Sequence, residues 1–176
     1  MNELLEKLNN TESKAFELNT KETLDEETAK TLVNKNIHFT WHNKKERTIM
    51  TIPGKVLDYK NGYLKVFTSN IAFEDQSVDE KSNKMIENIA LDEISNYMVF
   101  DNYTKEFYDL AENIEFDDND QIILKPYKVT NIFNESIECI ITTIDAFEMG
   151  LVYKYNNDLV EIEYPTYFIK RIAPIK

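Results

Sequence analysis

The residues best suited to chemistry are few. His38 and His42 are the only histidines, and on an extended strand they share one face with Thr40 between them. A metal site on that pair needs about two further ligands close by, and nothing in the sequence brings Glu74 or Asp75 there. Two solvent-facing histidines on a polar strand face are the preferred reading, with no metal. The single Cys139 has no partner for an internal disulfide and no histidine nearby, so its strand-like setting predicts a buried, inert thiol. Asp117-Asp118-Asn119-Asp120 has the acidic density of a calcium loop but lacks its glycine and its distant glutamate, which leaves a solvated turn. With three glycines, no phosphate loop, dinucleotide fingerprint or nucleophile elbow can be built. Carboxylates are too numerous for any pair to stand out as acid and base. The sequence therefore assigns no catalytic residue and no cofactor, and the protein is read as not an enzyme.

Binding chemistry has more to work with. Tyr59, Tyr63 and Phe67 surround an Asn61-Gly62 turn and could stack on bases, while Lys44, Lys45 and Arg47 offer cations for phosphates. Backbone binding needs several phosphate contacts, and beyond these only scattered lysines such as Lys55, Lys60 and Lys65 follow. Core or barrel-face aromatics with scattered lysines are the favoured reading of these six residues. The net charge of −12, from 32 acidic against 20 basic residues, disfavours nucleic acid and anionic membranes as partners. It favours a protein partner, basic or itself nucleic-acid-binding. No apolar run approaches the roughly 20 residues of a membrane span, and the acidic start Met1-Asn2-Glu3 does not resemble a secretory signal. A cytoplasmic location is expected.

At 176 residues with 42% hydrophobic content, the chain can hold one ordinary domain or two small ones. Residues 1–35 read as an acidic helical arm. Leu4, Leu5 and Leu8 make a short apolar stripe, and Thr23 with Glu26 fits a capping box opening a second helix, with breaks at Asn9-Asn10-Thr11 and Asn19-Thr20. From Ile37 the pattern alternates: Ile37, Phe39 and Trp41 point one way, His38, Thr40 and His42 the other. Arg47 to Tyr59 reads as an extended stretch bent at Pro53-Gly54. Asn61-Gly62 predicts a tight type I′ hairpin into the strand Tyr63 to Thr68. A polar, acidic loop over Ser69 to Lys84 precedes either a strand over Met85 to Leu91 or a helical turn around Met85, Ile86 and Ile89, then a short turn at Leu91 to Ile94 and a strand over Asn96 to Phe100. Residues 101–120 form a linker containing an amphipathic helix over Tyr103 to Asn113. Strands are then expected at Gln121 to Lys125, Glu135 to Asp145, Gly150 to Tyr155, Leu159 to Tyr164 and Ile169 to Ala173, with a turn at Pro165 to Phe168.

The two strand-rich stretches, 36–100 and 121–176, share an order of elements. Ile37 to Trp41 aligns with Ile122 to Pro126, Gly54 to Tyr59 with Ile140 to Asp145, Gly62 to Phe67 with Gly150 to Tyr155, and Ile89 to Ile94 with the run from Ile162 to Ile169. Each half then reads as a strand, a long bent strand, a return strand, a fourth strand, a one-turn helix and a fifth strand. That order resembles SH3-like and Sm-like five-stranded barrels, which implies a mainly β chain of two small barrels with an N-terminal helical arm and a linking helix. Within the first half, Asn36 to Phe67, with its Ile-x-Phe-x-Trp strand, Pro-Gly bend and hairpin, also resembles the bacterial YolD-like family. That resemblance implies a small cytoplasmic protein associated with mobile elements such as phages and with translesion polymerases, with no catalytic residues to carry over. The expected function is a non-catalytic acidic protein that acts by protein–protein contact, as a regulator or inhibitor. A nucleic-acid-binding Sm-like barrel is the alternative, and a small hydrolase or ligand-binding protein a third.

Overall fold

The computed structural model describes residues 2–8, 16–68, 85–101, 107–145 and 147–175. The breaks expected at Asn9 to Thr11, the loop at Ser69 to Lys84 and the first turn of the linker helix lie outside them. In chain order the elements are α1 (Asn2–Lys7), β1 (Lys21–Thr23), α2 (Glu26–Thr31), β2 (Asn36–Asn43), β3 (Thr48–Lys60), β4 (Tyr63–Phe67), β5 (Ile86–Ala90), β6 (Ile94–Phe100), α3 (Phe107–Glu112), β7 (Pro126–Asn131), β8 (Ser136–Ile144), β9 (Glu148–Tyr155), β10 (Asp158–Pro165) and β11 (Ile169–Pro174). Single-turn 3-10 helices at Leu91–Glu93 and Thr166–Phe168 precede β6 and β11. The chain is mainly β and divides into two units, Leu18–Asn102, and Met1–Glu17 with Tyr103–Lys176.

In the Leu18–Asn102 unit an antiparallel six-stranded sheet runs β1-β6-β2-β3-β4-β5. Its core takes Ile37, Phe39 and Trp41 from β2, Val56 from β3, and Leu64 and Val66 from β4, under Leu24, Ala29 and Leu32 from around α2. The expected hairpin is present, with φ of 52° at Asn61 and 81° at Gly62, the two positive angles a type I′ turn requires. Gly54 lies where β3 crosses the core so closely that a methyl group there would collide with Val66. α2 starts two residues later than the capping box proposed. Thr23 is held in the β1 ladder opposite Ser95, and the Asp25 carboxylate caps the helix by accepting from the Thr28 N–H at 2.7 Å.

The second unit carries a five-stranded antiparallel sheet, β10-β9-β8-β7-β11. Leu8, Phe16, Leu110 and Ile114 are buried in this unit along with Tyr127, Val129, Cys139, Ile141, Met149 and Leu151. The single arm expected over 1–35 is therefore divided. Lys7 donates to the Leu124 carbonyl at 3.1 Å and Phe16 packs on Tyr164 with ring centroids 4.8 Å apart. Burying Phe16 contributes about 2 kcal/mol, which explains why the chain's start belongs with its distant end. The strand expected at Gln121 to Lys125 is an irregular extended run with one bridge, Phe116 to Ile122. Asp117 accepts from the N–H groups of Asn119 and Gln121 through one carboxylate oxygen, closing a tight turn that delays the first ladder to Pro126.

The order of elements repeats as expected, and the fifth strand returns beside the first in both units, β6 on β2 and β11 on β7. The hydrogen-bonded ladders leave both sheets open, with β1 and β5 at the edges of one and β10 and β11 at those of the other. Closed barrels are thus not what the ladders form. The residue correspondence also shifts. Each second strand carries a one-residue bulge, at Leu57 and at Thr142, and the partner opposite the residue after it is Lys65 in one unit and Gly150 in the other. Gly62 sits in a turn while Gly150 is a buried strand residue, so the two glycines are not equivalent. Register places Trp41, opposite Ile94, where the second unit has Asn131 opposite Ile169.

Candidate interaction surfaces

Five of the six residues proposed for binding fall at the two turns that flank β3, and the sixth, Phe67, ends β4. Lys44, Lys45 and Arg47 lie in the β2–β3 turn, while Tyr59 and Tyr63 stand at the β3–β4 hairpin. A straight strand of 13 residues would part those turns by about 40 Å. Instead both reach the 3-10 turn. The Lys44 ammonium meets Asp92 at 2.7 Å, its backbone N–H donates to Glu93, and the Leu91 N–H donates to the Gly62 carbonyl at 3.2 Å. β3 is therefore curved rather than straight, and the irregularity in it lies at the Leu57 bulge, past the Pro53-Gly54 bend that was expected.

That convergence does not leave all six available. Lys44 is neutralised by Asp92, whose hydrogen bond raises the lysine pKa and lowers that of the aspartate. Tyr59 is half-buried with the Lys30 ammonium 5.9 Å from its ring centroid. Phe67 is buried, laddered between Lys55 and Ile86 in the middle of the sheet, and offers no face for a base. Tyr63, Lys45 and Arg47 remain exposed.

The histidines also separate. His42 is exposed and within 2.8 Å of the Ser95 hydroxyl. His38, expected at the surface, is buried between Pro53 and Met98 in the ladder, and burial lowers its pKa to about 4. Alternation identified its face correctly but not that this face is covered at His38 and open at His42. Cys139 is fully buried, and desolvation pushes its thiol pKa up. We expect no reaction of native protein with a thiol-specific reagent, and labelling in denaturant at the rate of unfolding. Prompt labelling of folded protein would contradict this placement. Among the described residues no group of three or more His, Cys, Asp or Glu is arranged to hold a metal.

Sequence reasoning missed a cleft of about 320 Å³ between α2, β1 and β6, lined by Lys21, Thr28, Thr31, Lys35 and Tyr97 among others. It offers ammonium and hydroxyl groups, but the Thr31 hydroxyl is bonded to the Thr28 carbonyl and no histidine or carboxylate lines it as a base. It could have been anticipated only by recognising Lys21-Glu22-Thr23 as a strand.

Charge is unevenly shared. The unit of 1–17 and 103–176 holds 18 acidic and nine basic residues, a balance of −9, against 14 and 11, or −3, in the other. On the former, Asp145, Glu148 and Glu163 gather where β9 pairs with β10. Burial, then the charges of Glu163 and Asp145, raise the pKa of Glu148. Phe147 projects beside them, 44% exposed. Among the described residues no helix is long and apolar enough to cross a membrane. No family model, curated protein or solved structure matches the chain.

Proposed function

We propose that this is a non-catalytic binding protein that acts through protein–protein contact, with the acidic unit of 1–17 and 103–176 as its contact face. Its architecture reads as a tandem of small SH3-like or Sm-like units, supported by the fifth strand returning beside the first after a 3-10 turn. The observation that carries the functional reading is the crowding of Asp145, Glu148 and Glu163 around exposed Phe147. Carboxylates that repel one another in the free protein are relieved by a cationic partner, and an exposed aromatic ring supplies apolar contact at its centre. The partner is a protein with a basic surface. A regulator or inhibitor that imitates the charge of DNA, carried by a mobile element, is the sharper form, and exposed Glu161 and Glu163 on one face of β10 extend the charge in that direction.

The test is affinity capture from the native host followed by binding of the purified partner at low and high salt. Weaker binding at high salt and at least roughly tenfold weaker binding by the Glu148→Gln/Glu163→Gln variant are expected. Because Glu148 is held above its usual pKa, the same variant should be no less stable than the wild type. Equal binding by wild type and variant would sink the reading. The nucleic-acid alternative rests on Tyr63, Lys45 and Arg47, since neighbouring Lys44 is already taken by Asp92 and Glu93. A gel shift that weakens steeply with salt would favour it.

A further inference from the structure

Sheet edges are ordinarily blunted by charge, proline or brevity. The formal edges here follow that rule. β1 has three residues, two of them Lys21 and Glu22; β5 carries Glu87, β10 carries Asp158, Glu161 and Glu163, and β11 has Lys170, Arg171 and Pro174. A fifth edge hides inside the first sheet. β4 pairs only with Lys55 to Lys60 of β3, so Thr48 to Pro53 has β2 on one side and no ladder partner on the other among the described residues. Thr48-Ile49-Met50-Thr51-Ile52 has no charge, Ile49 is 71% exposed and Met50 41%. Lys45 and Arg47 precede it and Lys55 follows it, none in an ion pair among the described residues.

We propose that this edge binds an extended segment of a partner protein by strand addition, and that the segment has an alternating apolar centre bracketed by carboxylates. Main-chain hydrogen bonds along Thr48 to Ile52 supply affinity, and the flanking cations select the ends. This site lies in the Leu18–Asn102 unit and is independent of the acidic face proposed above.

A second copy of the chain fits less well, for a geometric reason. Residues facing a shared antiparallel edge alternate along each strand, so two copies of one edge can pair only in registers centred on a residue. The free edge ends before Lys55, whose own place on that side is taken by Phe67 of β4. In an antiparallel pairing of this edge with itself, the Lys45–Arg47 end of each copy comes toward the Lys55 end of the other, which brings like charges together at both ends, whereas a strand with carboxylates at both ends turns the same cations into attractions.

The test uses the full chain and three fluorescein-labelled synthetic peptides. One has an alternating valine–threonine centre with paired carboxylates at both ends, one has lysines in place of the carboxylates, and one interrupts the acidic version with a central proline. The acidic peptide is expected to bind roughly tenfold tighter than either of the others by fluorescence anisotropy. It should also slow amide exchange at Thr48 to Ile52. The variant Arg47→Glu/Lys55→Glu, checked for folding by circular dichroism because Lys55 is half-buried, should reverse the preference toward the lysine peptide. Equal binding of the acidic and proline peptides, protection confined to other strands, or no binding of the acidic peptide at about 1 mM would overturn the proposal. So would a concentration-dependent dimer abolished by Ile49→Lys, which would assign the edge to a second copy.

Discussion

Lowering the pH from 6.5 to 4 is expected to remove about 3 kcal/mol of unfolding free energy through His38 alone. Burial in β2 holds this imidazole near pKa 4, against an ordinary value of 6.5 in the unfolded chain. Above 6.5 both states are neutral and the group has no effect. Between 6.5 and 4 the unfolded chain takes up a proton that the folded protein refuses, so stability falls as pH falls. Below 4 both states are protonated and the loss is complete. The depressed carboxyl groups of Asp25 and Asp92 act in the same direction at lower pH, while Glu148, held up, acts oppositely. Urea titrations across this window can follow Trp41, the single tryptophan, buried three residues away on the same strand. His38→Gln should flatten the slope between pH 6.5 and 4. An unchanged slope in that variant would assign the acid sensitivity to other groups.

The same strand shows what the sequence could and could not convey. Ile37, Phe39 and Trp41 were readable as one apolar face because a strand alternates with period two, and all three are in the core. His38 lies on the other face, and alternation carries no information about whether a second layer covers it. The Asn61-Gly62 hairpin was legible because few residues adopt the two positive φ angles its turn needs. β1 was not, because Lys21-Glu22-Thr23 has no apolar residue and exists only through its ladder with β6. Leu8 was readable as apolar, but nothing in its neighbours named the unit in which it is buried. At the candidate surfaces, Lys45, Arg47 and Tyr63 are exposed at or beside turns, whereas whether Phe67 faced the core or the surface was not legible, because its burial depends on the strands that flank it.

The repeat was readable in its order and not in its register, since bulges shift residue counts by one and chemically unrelated side chains fill equivalent places. Asn131 is the sharpest case. At the position held by Trp41 in the other unit, it is fully buried and its amide organises the β7–β8 turn. Its Oδ1 accepts from the Phe133 N–H at 3.0 Å and the Glu135 N–H at 2.9 Å. Its Nδ2 donates to the Glu135 carboxylate at 2.8 Å and to the Tyr164 hydroxyl at 3.2 Å. Tyr164 is itself buried under Phe16, and burial pushes its hydroxyl pKa up to about 12, so it stays protonated throughout the working range. Four bonds worth about 1 kcal/mol each, two of them from turn N–H groups, make Asn131→Ala cost about 3–4 kcal/mol. Tyr164→Phe removes only the last and should cost about 1 kcal/mol. Urea unfolding followed by tyrosine fluorescence and circular dichroism measures both. A loss below about 1 kcal/mol for Asn131→Ala would mean that the turn closes without its side chain, and that Asn131 merely fills the space Trp41 fills in the other sheet.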